Sequence, residues 1–363
     1  MSLSDNITDD KKIFETIISD WEKADTRKEV SGDLINIYKN FTNELKSLGI
    51  QKCIDNFVRG VTAVGGNDAD PTRRTKVKVK LNKNLSNFTK ESILRTLDFI
   101  QLNNEAEVLP YDLSQRDLDV AAYTITDMYG KLNNALPLSE FQMSLSHKPE
   151  YTFKVGSNDY SYYILYMYLQ YVYCNKYLNF NEIDNIIEIG PGAGRQVEVI
   201  RKLHPHIKFY LIDIGPTLYL CHQYLRSIFK KSFVTYDKII KQKKISLDND
   251  GDIVCLGTWQ LDKIEPIGKT LSFGATVFNL MDPIISKRYF DKLKQFSDYF
   301  YLLESFSNKP KDIYSLEGST CFEDFESFLL DKYNLVNKSQ AMKPLSFRKD
   351  FGELEMSFWE KKI

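Results

Sequence analysis

The sequence predicts an α/β protein in which helices cover both faces of a mostly parallel sheet, preceded by a mainly helical N-terminal domain. After residue 181, short apolar runs bounded by Gly, Pro and Asp alternate with amphipathic helical segments, which is the pattern of strand–helix repeats. The first 150 residues instead show helical periodicity interrupted by polar turns. A chain of 363 residues has room for two domains, and we expect them at 1–150 and 151–363.

The N-terminal domain is expected to consist of helices and one short strand. Apolar residues at helical spacing predict a first helix around Ile13 to Trp21 and a second around Leu34 to Leu45. Strict alternation from Thr75 to Leu81 predicts a short exposed strand. Further helices are expected at 89–103 and 114–134, and a connecting segment follows from residue 136.

The C-terminal domain is expected to supply the sheet. Strands are predicted at 185–189, 208–213, 252–257, 270–276, 298–304, 334–340 and 353–360. Helices fit at 194–203, 217–229, 285–296 and 322–332. In sheets of this kind, ligands bind outside the carboxyl ends of the strands, where the strand order reverses. The loops that follow the strands are therefore the place to look for a site.

Composition and charge narrow the class of protein. The net charge is −1, which argues against a nucleic-acid binder that works by bulk electrostatics. The longest apolar stretch, Ser161 to Tyr173, is too short to cross a membrane, and the N-terminus lacks an apolar signal core. The five cysteines show no CxxC pair, as expected for free thiols in a reducing compartment. We therefore expect a cytoplasmic protein that binds neither a membrane nor nucleic acid.

A glycine-rich turn follows the first predicted strand of the sheet. The segment reads Gly190-Pro191-Gly192-Ala193-Gly194, and Glu188 stands two residues before its first glycine. Glycine allows the backbone to turn tightly and to leave room for a ligand against the next helix N-terminus. The dinucleotide fingerprint GxGxxG would require a third glycine at position 195, where this chain has Arg195.

An acidic residue, Asp213, ends the second predicted strand, 23 positions after Gly190. A carboxylate at this place can accept hydrogen bonds from both hydroxyls of a ribose. Alternatively, Asp213 ends the strand or caps a helix without any ligand. The glycine turn and the acid together favour a nucleoside ligand.

These two motifs resemble those of the class I S-adenosylmethionine-dependent methyltransferases, which have a Rossmann-like sheet. In that family the glycine loop lies against the methionine part of S-adenosyl-L-methionine, and the acid of the second strand holds the ribose. The resemblance implies that this cofactor binds here. It implies cofactor-binding roles for Glu188, Gly190, Pro191, Gly192, Gly194, Asp213 and Ile214.

The residues after Asp213 resemble those of one smaller group within this family. The run from Ile212 to Leu220 and the Tyr224-Leu225 pair look like the sugar O-methyltransferase family of bacterial polysaccharide gene clusters. The segment Ile253 to Leu261 is also similar to that family. The resemblance implies O-methylation of a sugar or another hydroxylated small molecule. An amine or natural-product acceptor, or a non-catalytic subunit that only binds the cofactor, stay open as alternatives.

Two further loops should reach the ligand edge of the sheet. After the third strand, where this fold class places the adenine, Thr258 begins the loop, Trp259 could stack on the base, and Gln260 could bond its edge. Trp259 could equally be ordinary packing. After the fourth strand, Asn279 is expected near the cofactor. Asp282 is the nearest candidate for a general base, or else it caps the next helix.

The histidines offer one further candidate. His147 lies in the connecting segment, which must pass near the mouth of the site, so it is a second candidate for a catalytic residue. His204 and His206 are expected to be solvated residues in a turn at the opposite end of the sheet. No carboxylate or histidine cluster has metal-ligand spacing, so no metal is implied. We expect the helical domain to close over the substrate as a lid or to form the surface of a homodimer.

Overall fold

The computed structural model describes residues 7–24, 32–55, 115–146, 149, 151–305, 319–342 and 354–363. The described α-helices are α1 (Lys11–Lys23), α2 (Gly32–Leu48), α3 (Ile50–Asp55), α4 (Gln115–Leu132), α5 (Tyr162–Asn175), α6 (Arg195–Leu203), α7 (Gly215–Ile228), α8 (Tyr236–Ile239), α9 (Pro283–Leu293) and α10 (Phe322–Leu329). The strands are β1 (Phe153–Val155), β2 (Asn158–Tyr160), β3 (Asn185–Ile189), β4 (Lys208–Asp213), β5 (Phe233–Val234), β6 (Ile253–Gly257), β7 (Thr270–Ala275), β8 (Tyr299–Ser305), β9 (Tyr333–Gln340) and β10 (Leu354–Lys361).

Eight strands form one sheet in the order β5-β6-β4-β3-β7-β8-β10-β9. The pairs among β5, β6, β4, β3, β7 and β8 are all parallel, and β10 pairs antiparallel with both β8 and β9. Every residue of β3 and of β6 is buried, so both faces of the sheet are covered. The predicted α/β fold class is confirmed.

The strand order reverses at β3. From β3 the chain proceeds to β4 on one side, and it returns later to β7 on the other side. The loops after β3 and β7 consequently diverge and leave a crevice at the carboxyl ends of these two strands. This crevice is where a doubly wound sheet binds its ligand.

Helix α5 shows why the aromatic run of the sequence is helical but lies inside the protein. Ser161 caps it by accepting a hydrogen bond from the backbone N–H of Ile164, at 3.2 Å. Apolar residues and tyrosines surround the whole helix, and nearly all of them are buried. A helix that is apolar all round belongs in the core of a large protein. Here α5 packs against α6 and α4.

The N-terminal helices pack directly on the sheet half of the protein. The predicted apolar face of α1 is buried, with Ile17 fully inaccessible, and α1 contacts α7. One hydrophobic cluster continues from Ile7 through Ile54 into the strands of the sheet. The division into two domains at residue 150 stays a prediction.

Most element boundaries in the sheet half agree with the sequence within one or two residues. The short strands β1, β2 and β5 and the short helices α3 and α8 were not expected. The predicted strand at 75–81 and the predicted helix at 89–103 lie outside the described residues. Within the described residues, no helix is long and apolar enough to cross a membrane.

The prediction of a solvated His204 is wrong. This residue is the C-cap of α6, is only 4% exposed and shares a hydrogen bond of 3.0 Å with the Tyr171 hydroxyl. Its ring also stacks on Phe180. Burial lowers the pKa of His204 to about 4, helped by the nearby His206, so the ring is neutral and serves the core.

Candidate functional site

The glycine loop after β3 has the backbone geometry that its sequence demands. Gly190, Gly192 and Gly194 have φ values of +67°, +56° and +81°, which lie in the left-handed region. A Cβ on Gly190 would lie 2.6 Å from Val277, in the loop after β7, and one on Gly194 would lie 2.8 Å from Leu225 in α7. The loop therefore needs glycine for conformation and for space.

A substitution at Gly194 tests this requirement. We expect Gly194→Ala to destabilise the protein by about 2–3 kcal/mol, because left-handed strain adds to the collision with Leu225. Gly156 is a matched control, since its φ is +62° but no atom lies within 4 Å of the site of its Cβ. Gly156→Ala should cost about 1 kcal/mol, from strain alone. Urea unfolding measures both, and equal losses would show that the contact with Leu225 is unimportant.

Asp213 joins the end of β4 to the glycine loop. Its Oδ1 accepts a hydrogen bond from the N–H of Ile214 at 2.8 Å, and its Oδ2 accepts one from the N–H of Gly192 at 3.2 Å. Burial raises the pKa of Asp213 to about 7, although the two backbone hydrogen bonds lower it. The carboxylate thus stands at the reversal of strand order, beside the glycine loop.

Glu188 is a second buried carboxylate next to this one. It lies in β3 just before the loop and is 4% exposed. Burial, and to a lesser extent the negative charge of Asp213, raise the pKa of Glu188 to about 8. Two carboxylates that oppose each other's ionisation favour a ligand that brings positive charge or hydrogen-bond donors.

The loop after β6 contains the residues predicted to surround the adenine. Gln260 uses its Oε1 to accept a hydrogen bond from the N–H of Gly257 at 2.9 Å, so this oxygen holds the turn. Trp259 is half-buried, and its ring packs over Gly257, which pairs with Asp213 across the sheet. Thr258 is 6% exposed, and its Oγ1 has no partner among the described residues. The side chains after β6 therefore lie beside the end of β4.

The turn after β7 is held by a carboxylate that sequence reasoning missed. Glu304 in β8 accepts hydrogen bonds from the N–H groups of Val277 at 3.2 Å, Phe278 at 3.1 Å and Asn279 at 3.4 Å. Burial raises the pKa of Glu304 to about 7, against the effect of these bonds. Asn279 is fully buried, and neither atom of its amide has a partner in the described part of the chain.

Of the two predicted catalytic residues, the structure describes Asp282 but not His147. Asp282 is the N-cap of α9, where its Oδ1 accepts a hydrogen bond from the N–H of Ile284 at 2.8 Å. This is the capping role that the sequence offered as the alternative. His147 lies outside the described residues. The assignment of either residue to catalysis stays a prediction.

A pocket opens between the glycine loop and α5. Glu188 lines it together with Tyr163, Tyr166, Gln196 and Thr276. Gln196 is 4% exposed, and within the described ranges both polar atoms of its side chain are without a partner. Thr276, the first residue after β7, has a φ of +55°, which is strained for a β-branched residue, and such strain is concentrated at functional sites.

A buried ion pair fixes the wall of this pocket. Arg195, 1% exposed, begins α6 with its Nε 3.8 Å from Glu198 Oε2. Glu198 also accepts hydrogen bonds from Lys202 Nζ at 2.7 Å, from the N–H of Ser144 at 2.6 Å and from the Tyr224 hydroxyl at 2.5 Å. Burial raises the pKa of Glu198, but Lys202 and Arg195 lower it more, so the pKa lies below its usual value.

The signals for these additional residues are weak in the sequence. Glu304 and Gln196 stand in ordinary strand and helix patterns, and only the topology brings them to the crevice. Among the described residues, no group of three or more His, Cys, Asp or Glu side chains could hold a metal ion.

Comparisons with known proteins find similar solved structures, but at low sequence identity. No family model and no curated protein matches the sequence. The solved structure of the pyocyanin biosynthetic protein PhzM is similar over 55% of this chain and 57% of its own, with 13% identity and a TM-score of 0.37. A Clostridium acetobutylicum S-adenosylmethionine-dependent methyltransferase is similar over 56% and 93%, with 13% identity and a TM-score of 0.36.

The mitomycin 7-O-methyltransferase MmcR is similar over more of the chain, 78% of this protein and 80% of its own. Its identity is 8% and its TM-score 0.36. TM-scores this low carry no argument about activity.

Proposed function

We propose that this protein is an S-adenosyl-L-methionine-dependent methyltransferase that methylates a hydroxyl group of a sugar or of a similar small molecule. The observation that carries the proposal is the Asp213 carboxylate, joined to the N–H of Gly192 where the strand order reverses. A carboxylate at the end of the second parallel strand, beside a glycine loop, is suited to hold a ribose.

The residues present fit this cofactor. Each oxygen of Asp213 accepts one backbone hydrogen bond, so a second lone pair on each can receive a ribose hydroxyl. Among the described residues, Thr258 after β6 and Asn279 after β7 have buried polar side-chain atoms without partners, in loops that follow strands on either side of β3. Buried polar groups are normally hydrogen-bonded, and the polar edges of an adenosine and an amino acid would satisfy them.

The chain's own residues would mainly position the reactants. The cofactor would supply a methyl group on a sulfonium, and the neutral thioether of S-adenosylhomocysteine would be the leaving group. The glycine loop and Asp213 would fix one reactant, and the rings of Tyr163 and Tyr166 would help to exclude water from the pocket. Holding two reactants in line lowers the barrier by removing their freedom of motion. Asp282 and His147 remain the candidates for taking the hydroxyl proton.

The acceptor follows from the resemblance of the residues after Asp213 to sugar O-methyltransferases. An assay for S-adenosylhomocysteine formation, with separate panels of free and nucleotide-linked sugars, amines and phenolic scaffolds, tests it. We expect turnover with a hydroxylated carbohydrate. Turnover only with an amine would move the protein to another acceptor class. Cofactor binding without turnover on any panel would favour a non-catalytic subunit.

The affinity for the cofactor should depend on pH. Ligand hydroxyls hydrogen-bond best to ionised Asp213, and a positively charged ligand favours ionised Glu188, so binding lowers two pKa values that burial raises to about 7 and about 8. Affinity for S-adenosylhomocysteine should therefore rise about tenfold from pH 6 to pH 8, with proton release. Titration calorimetry in buffers of different ionisation enthalpy measures the release. An affinity that does not change between pH 6 and pH 8 would contradict this prediction.

Glu188 and Asp213 should also make the ligand-free folded state less stable as the pH rises, whereas the affinity for the cofactor increases. A carboxyl whose folded pKa is raised stabilises the folded state below its unfolded pKa, and this contribution is lost as the pH rises through the folded pKa. The ligand-free protein should therefore lose stability between about pH 5 and pH 8 through Glu188 and Asp213, while the cofactor-bound protein should not.

A further inference from the structure

The glycine loop contacts Asp213 and also lines the pocket beside α5. Oδ2 of Asp213 accepts a hydrogen bond from the N–H of Gly192 at 3.2 Å, and Gly190, Pro191 and Gly192 line the pocket. A ribose held at Asp213 by its two hydroxyls presents its 5′ substituent away from that carboxylate. In the proposed cofactor this substituent is a sulfur that carries an α-amino acid chain. The chain can therefore extend over the glycine loop into the pocket.

The pocket is lined by side chains of both charge signs. Glu188 lines it from β3, and Arg195 lines it from the first residue of α6. Glu198 balances the charge of Arg195, with 3.8 Å between Oε2 and Nε. An α-amino acid carries an ammonium and a carboxylate on one carbon, and Glu188 is a suitable acceptor for the ammonium. The carboxylate then needs a donor on another wall.

Helix α6 begins at this pocket without a capping side chain. Its N-cap is Gly194, which has no side chain to accept a hydrogen bond from the first turn. The N-terminus of a helix carries partial positive charge and N–H groups that lack partners in the helix, so it favours a bound carboxylate. The α6 side of the pocket therefore suits the carboxylate of the ligand, and the β3 side suits its ammonium.

Gln196 lies in the first turn of α6 and lines the same pocket. It is 4% exposed, and among the described residues neither Nε2 nor Oε1 of its side chain has a hydrogen-bond partner. A buried amide without partners costs free energy, so an unpartnered amide in the wall of a pocket indicates a ligand that satisfies it. Its Nε2 is a donor, which a carboxylate can accept.

We propose that Gln196 is a further cofactor-binding residue, whose Nε2 donates a hydrogen bond to the α-carboxylate of S-adenosyl-L-methionine. Glu188 then accepts from the α-ammonium. This inference rests on the proposed function, because it needs the nucleoside at Asp213. It makes Gln196 the residue that distinguishes ligands with an α-carboxylate from ligands without one.

The test is a calorimetric titration of Gln196→Leu with three ligands that share the nucleoside. These are S-adenosylhomocysteine, its decarboxylated analogue, and 5′-methylthioadenosine, which lacks the whole amino acid chain. Loss of one hydrogen bond to a charged group should weaken S-adenosylhomocysteine by about ten- to 150-fold. The other two ligands should keep their wild-type affinities, because neither contains the carboxylate.

Gln223→Leu is the matched control. Gln223 lies in α7, is 2% exposed and, in the part of the chain that the structure describes, also has an Nε2 without a partner, but it does not line the pocket. This variant should bind all three ligands as the wild type does. Melting temperatures show whether the variants are folded. Gln196→Glu serves the same test if the leucine variant is unfolded, since it replaces the donor with a negative charge at nearly constant size and should weaken S-adenosylhomocysteine but not the decarboxylated analogue.

The outcomes separate the inference from the proposed function. If the folded wild-type protein binds none of the three ligands, the proposed function fails and the inference falls with it. If the wild type binds S-adenosylhomocysteine and the folded Gln196 variants bind it equally well, only the inference fails. Equal weakening of all three ligands would assign Gln196 to the shape of the glycine loop and would overturn the inference as well.

Discussion

Replacing Asp213 with alanine should reduce the affinity for S-adenosylhomocysteine by about 100- to 10,000-fold. The variant loses two hydrogen bonds from ribose hydroxyls to a charged acceptor, each worth about 1.5–3 kcal/mol. It should also release Gly192, whose N–H donates to Oδ2 of this residue. Titration calorimetry measures the loss, and unchanged affinity would mean that the ribose lies elsewhere.

The fold should survive this change. Asp213 is buried with a raised pKa, so its ionised form does not stabilise the ligand-free protein at neutral pH. Asp252 offers a matched control, because it is 8% exposed, accepts hydrogen bonds from Asn249 and precedes β6 at the opposite edge of the sheet. Asp252→Ala should leave the affinity at the wild-type value.

Replacing Glu198 with alanine should lower the free energy of unfolding by about 3–5 kcal/mol. The variant removes the counter-charge of buried Arg195 and leaves the Ser144 N–H and the Tyr224 hydroxyl without their acceptor. Urea unfolding measures the change. Glu182→Ala is the control, since its ion pair with Lys269 lies at the surface and is worth about 0–1 kcal/mol.

The contribution of Glu198 to the free energy of unfolding should also depend on pH in the acidic range. Its folded pKa is lowered, so its stabilisation is present above the unfolded pKa and is lost as the pH falls through the folded value. The wild-type protein should therefore lose stability below about pH 4.5 more steeply than Glu198→Ala. If the free energies of unfolding of the two proteins fall in parallel with pH, groups other than Glu198 cause the acid sensitivity.

The sequence indicated the parts of the candidate site whose local structure depends on short sequence patterns. The glycine loop and Asp213 follow strands with clear apolar runs, and turn chemistry restricts which residues can stand there. The bounds of β3 and β4 agree with the sequence for the same reason. Local sequence patterns were sufficient to locate these residues because their positions depend on the backbone conformation of the turn and on where the adjoining strand ends.

The residues that sequence reasoning missed depend on contacts between distant segments. Glu304 holds a turn 25 to 27 residues before it in the chain. His204 looked like a turn residue, but α5 and Phe180 cover it. No periodicity in a single sequence reports such pairings, which are set by how the elements pack.

The most direct test of the proposed function is a calorimetric titration of the folded wild-type protein with S-adenosylhomocysteine and, separately, with NAD⁺. The geometry of Asp213 and the glycine loop predicts one site for S-adenosylhomocysteine, strongly weakened in Asp213→Ala, and no binding of NAD⁺. Absence of heat with S-adenosylhomocysteine, or binding of NAD⁺ in its place, would contradict the assignment of this crevice to a methyl donor.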